Sequence, residues 1–325
     1  TIEVVPPAGE LGPRFKLVGG GEQLFLRMNS NSYLGLSQRP ELIAAEEVAA
    51  RRFGTGPGAV RFISGTYRVH VELEERLAAF HGRQAAMIYS SAYATTMGVL
   101  PALITGDTAV ISDALNHNCI INAMRLARPA VKYVYNHLDL ADLESRLQAA
   151  AGSARRAIVV TDGIFSMRGD WAPLPEIVEL VRRHDSEFPE NALLVVDDSH
   201  GVGAFGATGR GTEEYTGCEG VDILVATLGK AFGVNGGYVV GSRRLVEFLR
   251  QKSAFYIYSN PITPAEASAA LAAVDLVDSQ VGRDLLDHLR AMTARFEQGL
   301  GRLGLETIPG EHPVVPLMVR DTART

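Results

Sequence analysis

Two stretches decide the fold: LLVVDDSHG at residues 193–201 and ILVATLGKA at residues 223–231. Each is a continuous apolar run that ends in charged and small residues. Continuous apolar runs are typical of strands in parallel sheets, because such sheets are covered on both faces. The reactive groups of these sheets stand at the carboxyl ends of the strands, so we expect the chemistry of this protein at Asp197, His200 and Lys230.

Further apolar runs extend the same pattern along the chain, with helical segments between most of them. The predicted strands lie near residues 85–90, 108–112, 131–135, 157–161, 192–197, 223–227 and 237–241. This order predicts an α/β fold with a mainly parallel, seven-stranded, doubly wound sheet.

The regions on either side of the sheet predict two further units. Residues 1–35 are interpreted as an N-terminal arm, with Pro6-Pro7 as a break and a strand at 24–29. Residues 36–262 are expected to form the large domain. Residues 263–325 then begin a smaller C-terminal α/β domain, which we expect to be incomplete because a lone terminal strand is poorly stabilised.

Helices are predicted where apolar residues recur at helical spacing. The ranges are 40–53, 67–81, 264–278 and 283–303, and the terminal strand of the small domain is predicted at 314–319. In the first helix the apolar residues on or near one face are Leu42, Ile43, Ala45 and Val48.

Composition argues against several classes of partner. The chain has 325 residues, a net charge of -6 and a pI near 5.8, and its lysines and arginines are scattered. Nucleic-acid binding needs a dense basic patch, so neither a nucleic acid nor a membrane surface is expected as a partner. No secretory signal or membrane-spanning run is recognised, and we expect a cytoplasmic protein.

The two cysteines, Cys119 and Cys218, are far apart in the sequence and lack partners at metal-ligand spacing. A reducing compartment fits them better than a disulfide framework. His117-x-Cys119 is a pair of ligand types, but a buried thiol beside an unrelated histidine is the better interpretation, and no metal is expected.

Asp197 and Lys230 together indicate a cofactor. Either residue after a strand is commonplace, since lysine is usually exposed and aspartate usually caps a helix or turn. Pyridoxal phosphate (PLP), however, is held by a lysine Schiff base and tuned by an acidic partner on its pyridine nitrogen. The pair at two neighbouring strand ends therefore predicts a PLP enzyme.

Two further motifs fit a PLP site. Ser90-Ser91-Ala92-Tyr93 follows the first core strand and begins a helix, whose N-terminus suits a phosphate. His117 follows a strand at 108–112 and is placed to cover a ring at the sheet edge. A competing dinucleotide motif, Gly201-x-Gly203-x-x-Gly206, is rejected because no apolar-periodic helix follows it.

With these residues the sequence resembles the α-oxoamine synthase family of fold-type I PLP enzymes, which condense an amino acid with an acyl-CoA. The resemblance extends from about Asn29 to Arg320. Its motifs are Asn31-Ser32-Tyr33-Leu34-Gly35-Leu36, Ser112-Asp113-Ala114-Leu115-Asn116-His117, Phe165-Ser166-Met167, Asp197-Asp198-Ser199-His200-Gly201 and Thr227-Leu228-Gly229-Lys230.

The resemblance implies a catalytic role for four residues. Lys230 would be the Schiff-base lysine and the base for the Cα proton, and Asp197 would pair with the pyridine nitrogen. His200 would hydrogen-bond the ring 3-oxygen, and His117 would stack on the ring face.

The resemblance also implies further contacts with the cofactor and the substrate. Asn31 would contact the substrate. The residues expected at the phosphate or below the ring are Ser91, Ala92, Tyr93, Thr227, Asp162 and Ser166. Ser259 and Asn260 match a segment that reaches the phosphate of the neighbouring subunit, which implies a homodimer.

Three departures from the family leave its finer properties open. Pro261 stands where a small hydroxyl residue is common, and Ala59 replaces a hydroxyl residue near the acyl substrate. The arginine that binds the amino-acid carboxylate in the family has no counterpart before Thr325. Glycine, alanine or serine therefore remain possible substrates, and a PLP aminotransferase or decarboxylase is the alternative. A non-enzymatic scaffold subunit is disfavoured because Lys230 and Asp197 are both present.

Overall fold

The computed structural model describes residues 1–5 and 14–323; the Pro6-Pro7 break predicted in the arm lies outside these residues. The strands are β1 Ile2–Val5, β2 Arg14–Leu17, β3 Ala85–Tyr89, β4 Thr108–Asp113, β5 Val131–Tyr135, β6 Arg156–Asp162, β7 Asn191–Asp197, β8 Ile223–Thr227 and β9 Gly237–Gly241. β1 and β2 form a separate antiparallel pair.

The α-helices alternate with these strands through most of the chain. They are α1 Pro40–Phe53, α2 Arg68–Phe80, α3 Ala92–Leu103, α4 Asn118–Ala127, α5 Leu140–Ala150, α6 Leu174–His184, α7 Thr212–Thr216, α8 Arg243–Lys252, α9 Ala254–Ile257, α10 Pro264–Val277 and α11 Gln280–Arg302. Short 3₁₀ turns lie at Leu36–Gln38 and Asp185–Glu187, and a π turn lies at Arg61–Gly65.

The other seven strands form one sheet in the order β3-β9-β8-β7-β6-β4-β5. β9 is antiparallel to both of its neighbours, and the remaining pairs are parallel. All seven predicted strands and the mainly parallel sheet are thus confirmed.

Two hydrophobic cores cover the two faces of the sheet. Successive residues of β6 alternate between them, with Ala157 and Val159 in one core and Ile158 and Val160 in the other. The first core receives α1, α2, α5, α6 and α10, and the second receives α3, α4, α8 and α9. The doubly wound arrangement is therefore confirmed, and it leaves the strand ends as the place for polar groups.

Local sequence signals explain where α10 begins and what it covers. Thr263 accepts a hydrogen bond from the Glu266 amide at 3.0 Å, and the Glu266 carboxylate accepts one from the Thr263 amide at 2.7 Å, which forms a capping box. Pro264 occupies the first turn, where its missing N–H costs nothing. Ala267, Val274 and Val277 are fully buried in the first core, although the proposed domain boundary at 263 remains a prediction.

Two predicted strands were wrong. Within residues 24–29 only Phe25 makes a bridge, to Phe15, and Leu24, Leu26 and Met28 are exposed. Within residues 314–319 only Leu317 makes a bridge, to Thr307. Phe15 belongs to β2, but the pairing of the first segment with β2 stops at this one bridge, and Thr307 lies in no strand. A single bridge does not sustain a ladder.

Two predicted helices needed smaller corrections. The buried stripe of α1 is Leu42 and Ala49, with Ala45 half-buried between them, whereas Ile43 and Val48 are 45% and 67% exposed. α11 begins at Gln280 rather than at Arg283.

In residues 1–5 and 14–323, no helix has the length and apolar character needed to cross a membrane.

Candidate active site

The carboxyl edge of the sheet collects the polar residues predicted to act together. β6 and β7 are in register, so that Asp162 lies beside Asp197 at this edge. Because β9 runs in the opposite direction, its first residue, Gly237, pairs with Thr227 at the end of β8 and with Tyr89 at the end of β3. The segments that follow β3, β4, β6, β7 and β8 therefore all leave the sheet at one place.

Asp197 is a buried carboxylate with three donors. Its Oδ1 accepts a hydrogen bond from the Ser199 amide at 3.1 Å. Its Oδ2 accepts from the Thr96 hydroxyl at 3.3 Å and from the Cys119 thiol at 3.6 Å. Because a carboxylate has about four lone-pair sites, Asp197 can still accept a further donor such as a protonated ring nitrogen.

Asp162 is a second buried carboxylate, and its two oxygens differ. Oδ2 accepts from the His117 amide at 3.1 Å, whereas Oδ1 is buried without a hydrogen-bond partner. Burial, and then the nearby charge of Asp197, raises the pKa of Asp162 well above its ordinary value. The two neighbouring carboxylates would therefore be stabilised by a cationic or proton-donating group at this edge.

His117 caps α4 and lies at the surface of the edge. Its Nδ1 accepts from the Cys119 amide at 3.3 Å and lies 3.0 Å from the Cys119 sulfur, which is buried. In the described part of the chain, these two side chains belong to no group of three or more residues that could hold a metal ion. The capping bond orients the ring at the start of α4, and its place over a bound ring stays a prediction.

Lys230 follows β8 in a tight loop and is half-buried. Burial lowers the pKa of its ammonium, and Asp197 and Asp162 oppose that shift. The Thr227 hydroxyl holds the loop, since it accepts from the Gly229 amide at 3.0 Å and donates to the Gly236 carbonyl at 3.2 Å. The predicted role of Thr227 near the phosphate is accompanied here by a structural one.

The turn at Ser91, Ala92 and Tyr93 begins α3. Ser91 caps the helix, accepting from the Ala94 amide at 3.1 Å, and Ala92 and Tyr93 form its first turn. The first amides of a helix have no intrahelical partner, so they suit an anion. A side chain at Gly237 would place its Cβ 2.3 Å from the Ala92 nitrogen, so glycine is required where β9 passes this turn.

His200 leaves β7 on the same loop as Asp197 and Ser199. Its Nδ1 lies 2.6 Å from the hydroxyl of Tyr33, and its backbone carbonyl accepts from His312 Nε2 at 3.0 Å. Burial, followed by the neighbouring Lys230, lowers the pKa of His200 to about 2. His200 is therefore a neutral ring near Lys230.

The first glycine of the rejected dinucleotide motif packs against a carboxylate. A Cβ at Gly201 would lie 2.2 Å from Asp198 Oδ1. Asp198 also accepts from the Thr212 hydroxyl at 2.6 Å and the Thr212 amide at 2.7 Å. The segment ends in α7, which has five residues and is too short for the helix of a pyrophosphate site.

The other predicted residues lie apart from this cluster or at its rim. Ser166 is half-buried in the loop after β6. Asn31 is exposed and lines a groove that also reaches Gly229, next to Lys230. The hydroxyl of Ser259 donates to the carbonyl of Asn260 at 3.4 Å, beyond α9, and within the described residues neither side chain hydrogen-bonds Lys230 or Asp197.

Four residues of the site had not been assigned a role from the sequence: Tyr33, Thr96, Cys119 and His312. Tyr33 lies within a quoted motif, and Cys119 follows His117 by two positions. Thr96 and His312 reach the site only through the folded chain, and nothing in their local sequence indicates it.

The chemistry of this residue set fits PLP. Asp162 Oδ1 and the Ser199 hydroxyl are buried without partners, so the edge has polar groups still to be satisfied. The α3 N-terminus suits a phosphate, and Asp197 suits a pyridine nitrogen. Lys230, with its lowered pKa, suits a Schiff base.

Comparison with known proteins identifies the family of this chain. The family model for aminotransferase class I and II matches residues 25–324. The chain belongs to the aminotransferase class I and II family.

Relatives of this family member include 8-amino-7-oxononanoate synthases. That of Geobacter metallireducens is 44% identical over 319 residues, which are 98% of this chain and 79% of the relative. That of Bacillus subtilis is 40% identical over 300 residues, or 92% of this chain and 74% of the relative. The motifs Ser112-Asp113-Ala114-Leu115-Asn116-His117 and Asp197-Asp198-Ser199-His200 predict glycine C-acetyltransferase as the nearest family member, whereas these two relatives are 8-amino-7-oxononanoate synthases.

Solved structures of the same class superpose closely on this family member. Serine palmitoyltransferase of Sphingomonas wittichii gives a TM-score of 0.86 at 29% identity, covering 94% of this chain and 74% of that one. A structure of serine palmitoyltransferase (SPT) with PLP gives a TM-score of 0.88 at 27% identity, covering 99% of this chain and 78% of that one. The chain is a PLP-dependent acyltransferase of the α-oxoamine synthase type, which condenses an amino acid with an acyl thioester.

Proposed function

We propose that Lys230, Asp197, His200 and His117 form the PLP centre of a synthase that joins alanine to a seven-carbon acyl-CoA. The products are an α-amino ketone, CoA and CO2. The observation that carries the site is the meeting of Lys230 with the carboxylates of Asp162 and Asp197 at one edge of the sheet. The choice of alanine and of the acyl length is supported by the relatives named 8-amino-7-oxononanoate synthase.

Each residue has a separate part in this proposal. PLP, when bound, accepts the electrons released as bonds at Cα break. Lys230 binds the cofactor and moves the Cα proton, and its lowered pKa favours the neutral amine that this step needs. Asp197 holds the proton of the ring nitrogen.

The remaining residues orient the ring and the phosphate. His200 donates to the ring oxygen, and His117 covers the face of the ring. Asp162 and Ser166 lie in the layer below the ring, and Asp162 accepts from the His117 amide at 3.1 Å. Ser91, Ala92, Tyr93 and Thr227 surround the phosphate, and Asn31 contacts the substrate at the rim.

We also propose a homodimer whose sites are shared. Ser259 and Asn260 reach the partner's phosphate, and this is supported by the exposed Tyr258 beside them, 80% accessible. Phe62 and Ile63, which are 64% and 69% exposed, provide apolar surface for such an interface. A cytoplasmic location is proposed on the two free, buried thiols.

A substrate panel tests the reaction. Glycine, alanine and serine are each combined with acetyl, seven-carbon dicarboxylic and long-chain acyl-CoA, and the release of CoA is measured. We expect alanine with the seven-carbon ester to be fastest. Amino transfer to a keto acid without CoA release would support the aminotransferase alternative, and CO2 release without CoA release would support a decarboxylase.

Subunit complementation tests the shared site. Lys230→Ala subunits are mixed with subunits that carry Ser259→Ala and Asn260→Ala, each inactive alone. A mixed dimer then contains one complete site if Ser259 and Asn260 act across the interface, so activity returns. If these residues act within their own subunit, no mixed site is complete and the mixture stays inactive.

A further inference from the structure

Three rings from distant parts of the chain meet beside Lys230. Tyr33 comes from the segment before α1, His200 from the loop after β7, and His312 from the segment after α11. The Tyr33 ring makes edge contacts with His200, at 6.2 Å between centroids, and with His312, at 5.5 Å. The side chain of His312 is fully buried, and those of Tyr33 and His200 are half-buried.

The hydrogen bonds of His312 define its own tautomer and fix the peptide of His200. His312 Nδ1 accepts from the Val314 amide at 3.1 Å, so the ring proton of neutral His312 lies on Nε2. That proton is donated to the His200 carbonyl at 3.0 Å. The backbone of His200 is thus held from the C-terminal side of the chain.

The remaining contact, between Tyr33 and His200, decides where His200 carries its own proton. Burial raises the pKa of Tyr33, so its hydroxyl keeps its proton and can donate it. Lys230, His312 and His117 all lie near His200, and each disfavours a positive charge on that ring. A neutral His200 that accepts at Nδ1 must carry its hydrogen on Nε2.

We propose that Tyr33 is a positioning residue, whose hydroxyl donates to His200 Nδ1 and thereby holds His200 as the neutral tautomer with hydrogen on Nε2. The inference rests on the proposed function, in which His200 donates to the ring oxygen of PLP. With the opposite tautomer, His200 would present a lone pair at Nε2 and repel an oxygen anion. Tyr33 therefore determines which ring nitrogen of His200 donates, although it does not contact the reacting atoms.

Nitrogen-15 labelling of the eight histidines tests this directly. The signals of His200 are identified from their loss in His200→Gln, and the spectra are recorded on purified protein with and without added PLP. Wild-type His200 is expected to show one tautomer, with hydrogen on Nε2. Hydrogen on Nδ1 in the wild type would overturn the proposal.

Tyr33→Phe is the second arm, with Tyr133→Phe as the control, because the Tyr133 hydroxyl donates to the carbonyl of Ala149 at the far edge of the sheet. We expect Tyr33→Phe to give a mixture of His200 tautomers and a kcat about tenfold lower with KM nearly unchanged, which is the size of one hydrogen bond between neutral groups. The control is expected to match the wild type. A single Nε2 tautomer that persists in Tyr33→Phe would overturn the proposal.

Failure of the proposed function is distinguishable from failure of this inference. A wild-type chain that binds no PLP would contradict the proposed function, whereas the tautomer of His200 is read independently of PLP. A wild-type chain that binds PLP, with unaltered His200 signals and kinetics in Tyr33→Phe, would contradict the role of Tyr33 alone.

Discussion

The carboxyl edge of the sheet and the two segments that flank the domain serve the same site, but they are held differently. Asp162, Asp197 and Thr227 stand at the ends of buried strands, where the ladder of the sheet fixes the backbone. Tyr33 and His312 lie in segments without regular structure and are fixed by side-chain hydrogen bonds to His200. The difference suggests that the edge carries the reaction and that the flanking segments align it.

Loss of Lys230 is expected to have the largest effect of any change at the sheet edge. Lys230→Ala is expected to lower turnover by about 10³-fold or more, because both the covalent attachment and the base are lost. The visible absorption of bound PLP should be lost with it. Lys252→Ala, at the exposed end of α8, is the control. A Lys230→Ala protein that keeps its turnover and its absorption would contradict the assignment of Lys230 as the Schiff-base lysine.

Replacing Asp197 tests the second residue of the edge. Asp197→Asn is expected to lower kcat by about 10²- to 10³-fold, the usual size for loss of one preorganised electrostatic group. PLP should remain bound, because Lys230 and the α3 turn are intact. Asp287→Asn, on a carboxylate that is 73% exposed, is the matched control. Equal kcat values for Asp197→Asn and the wild type would contradict the role of Asp197.

Gly237→Ala tests whether the backbone of the edge is as rigid as its register indicates. The new Cβ would lie 2.3 Å from the Ala92 nitrogen and 2.4 Å from the Ser91 carbonyl carbon, so the turn must move. We expect a loss of about 1–3 kcal/mol in the free energy of unfolding and weaker PLP binding.

Gly299→Ala in α11 is the matched control for this change. A Cβ at Gly299 meets no atom within 4 Å, and alanine is the better helix former, so a gain of roughly 0.5–1 kcal/mol is expected. Thermal unfolding measures both variants. Equal unfolding midpoints for Gly237→Ala and Gly299→Ala would show that the turn at Ser91 and Ala92 moves to accommodate the new methyl group without loss of stability.

The last expected effect lies in the flanking segments and depends on pH. Burial lowers the pKa of His312 to about 4, below the ordinary value of 6.5. Between these values the unfolded chain holds a proton that the folded chain does not, so stability falls as pH falls from 6.5, by about 1.4 kcal/mol per unit. His312→Gln should reduce the slope of the unfolding free energy by that amount between about pH 4.5 and 6.

Urea unfolding at several pH values measures this slope. Burial raises the pKa of Asp198 to about 7, which contributes to the slope in the opposite direction. This contribution cancels when the slope of the variant is subtracted from that of the wild type. His288→Gln, on an exposed histidine of α11, is the control. An identical slope in His312→Gln and the wild type would show that His312 carries no such proton linkage.

The same contrast explains how much of the molecule could be predicted from sequence. The strands and the edge residues were predictable because a buried strand is a continuous apolar run and its polar ending is adjacent in sequence. The segments at 24–29 and 314–319 have strand-like composition, but a strand needs a partner, and their sequences do not show that each makes only one bridge.

Long-range contacts account for the residues that the sequence did not assign. His312 and Thr96 act through single hydrogen bonds to His200 and Asp197. Such bonds depend on tertiary packing and leave no local period or spacing. Ile43 and Val48 were misplaced for a related reason, since the width of the buried face of α1 is set by its neighbour α10.

The position of β9 has a consequence for synthesis on the ribosome. β3 pairs only with β9 in the described sheet, and β9 lies between β3 and β8. The chain must therefore extend by about 150 residues after β3 before its partner emerges, which takes roughly eight to thirty seconds at usual rates of translation. During that interval the apolar residues of β3 have no ladder, so nascent chains that stall before residue 237 should be the ones that engage chaperones.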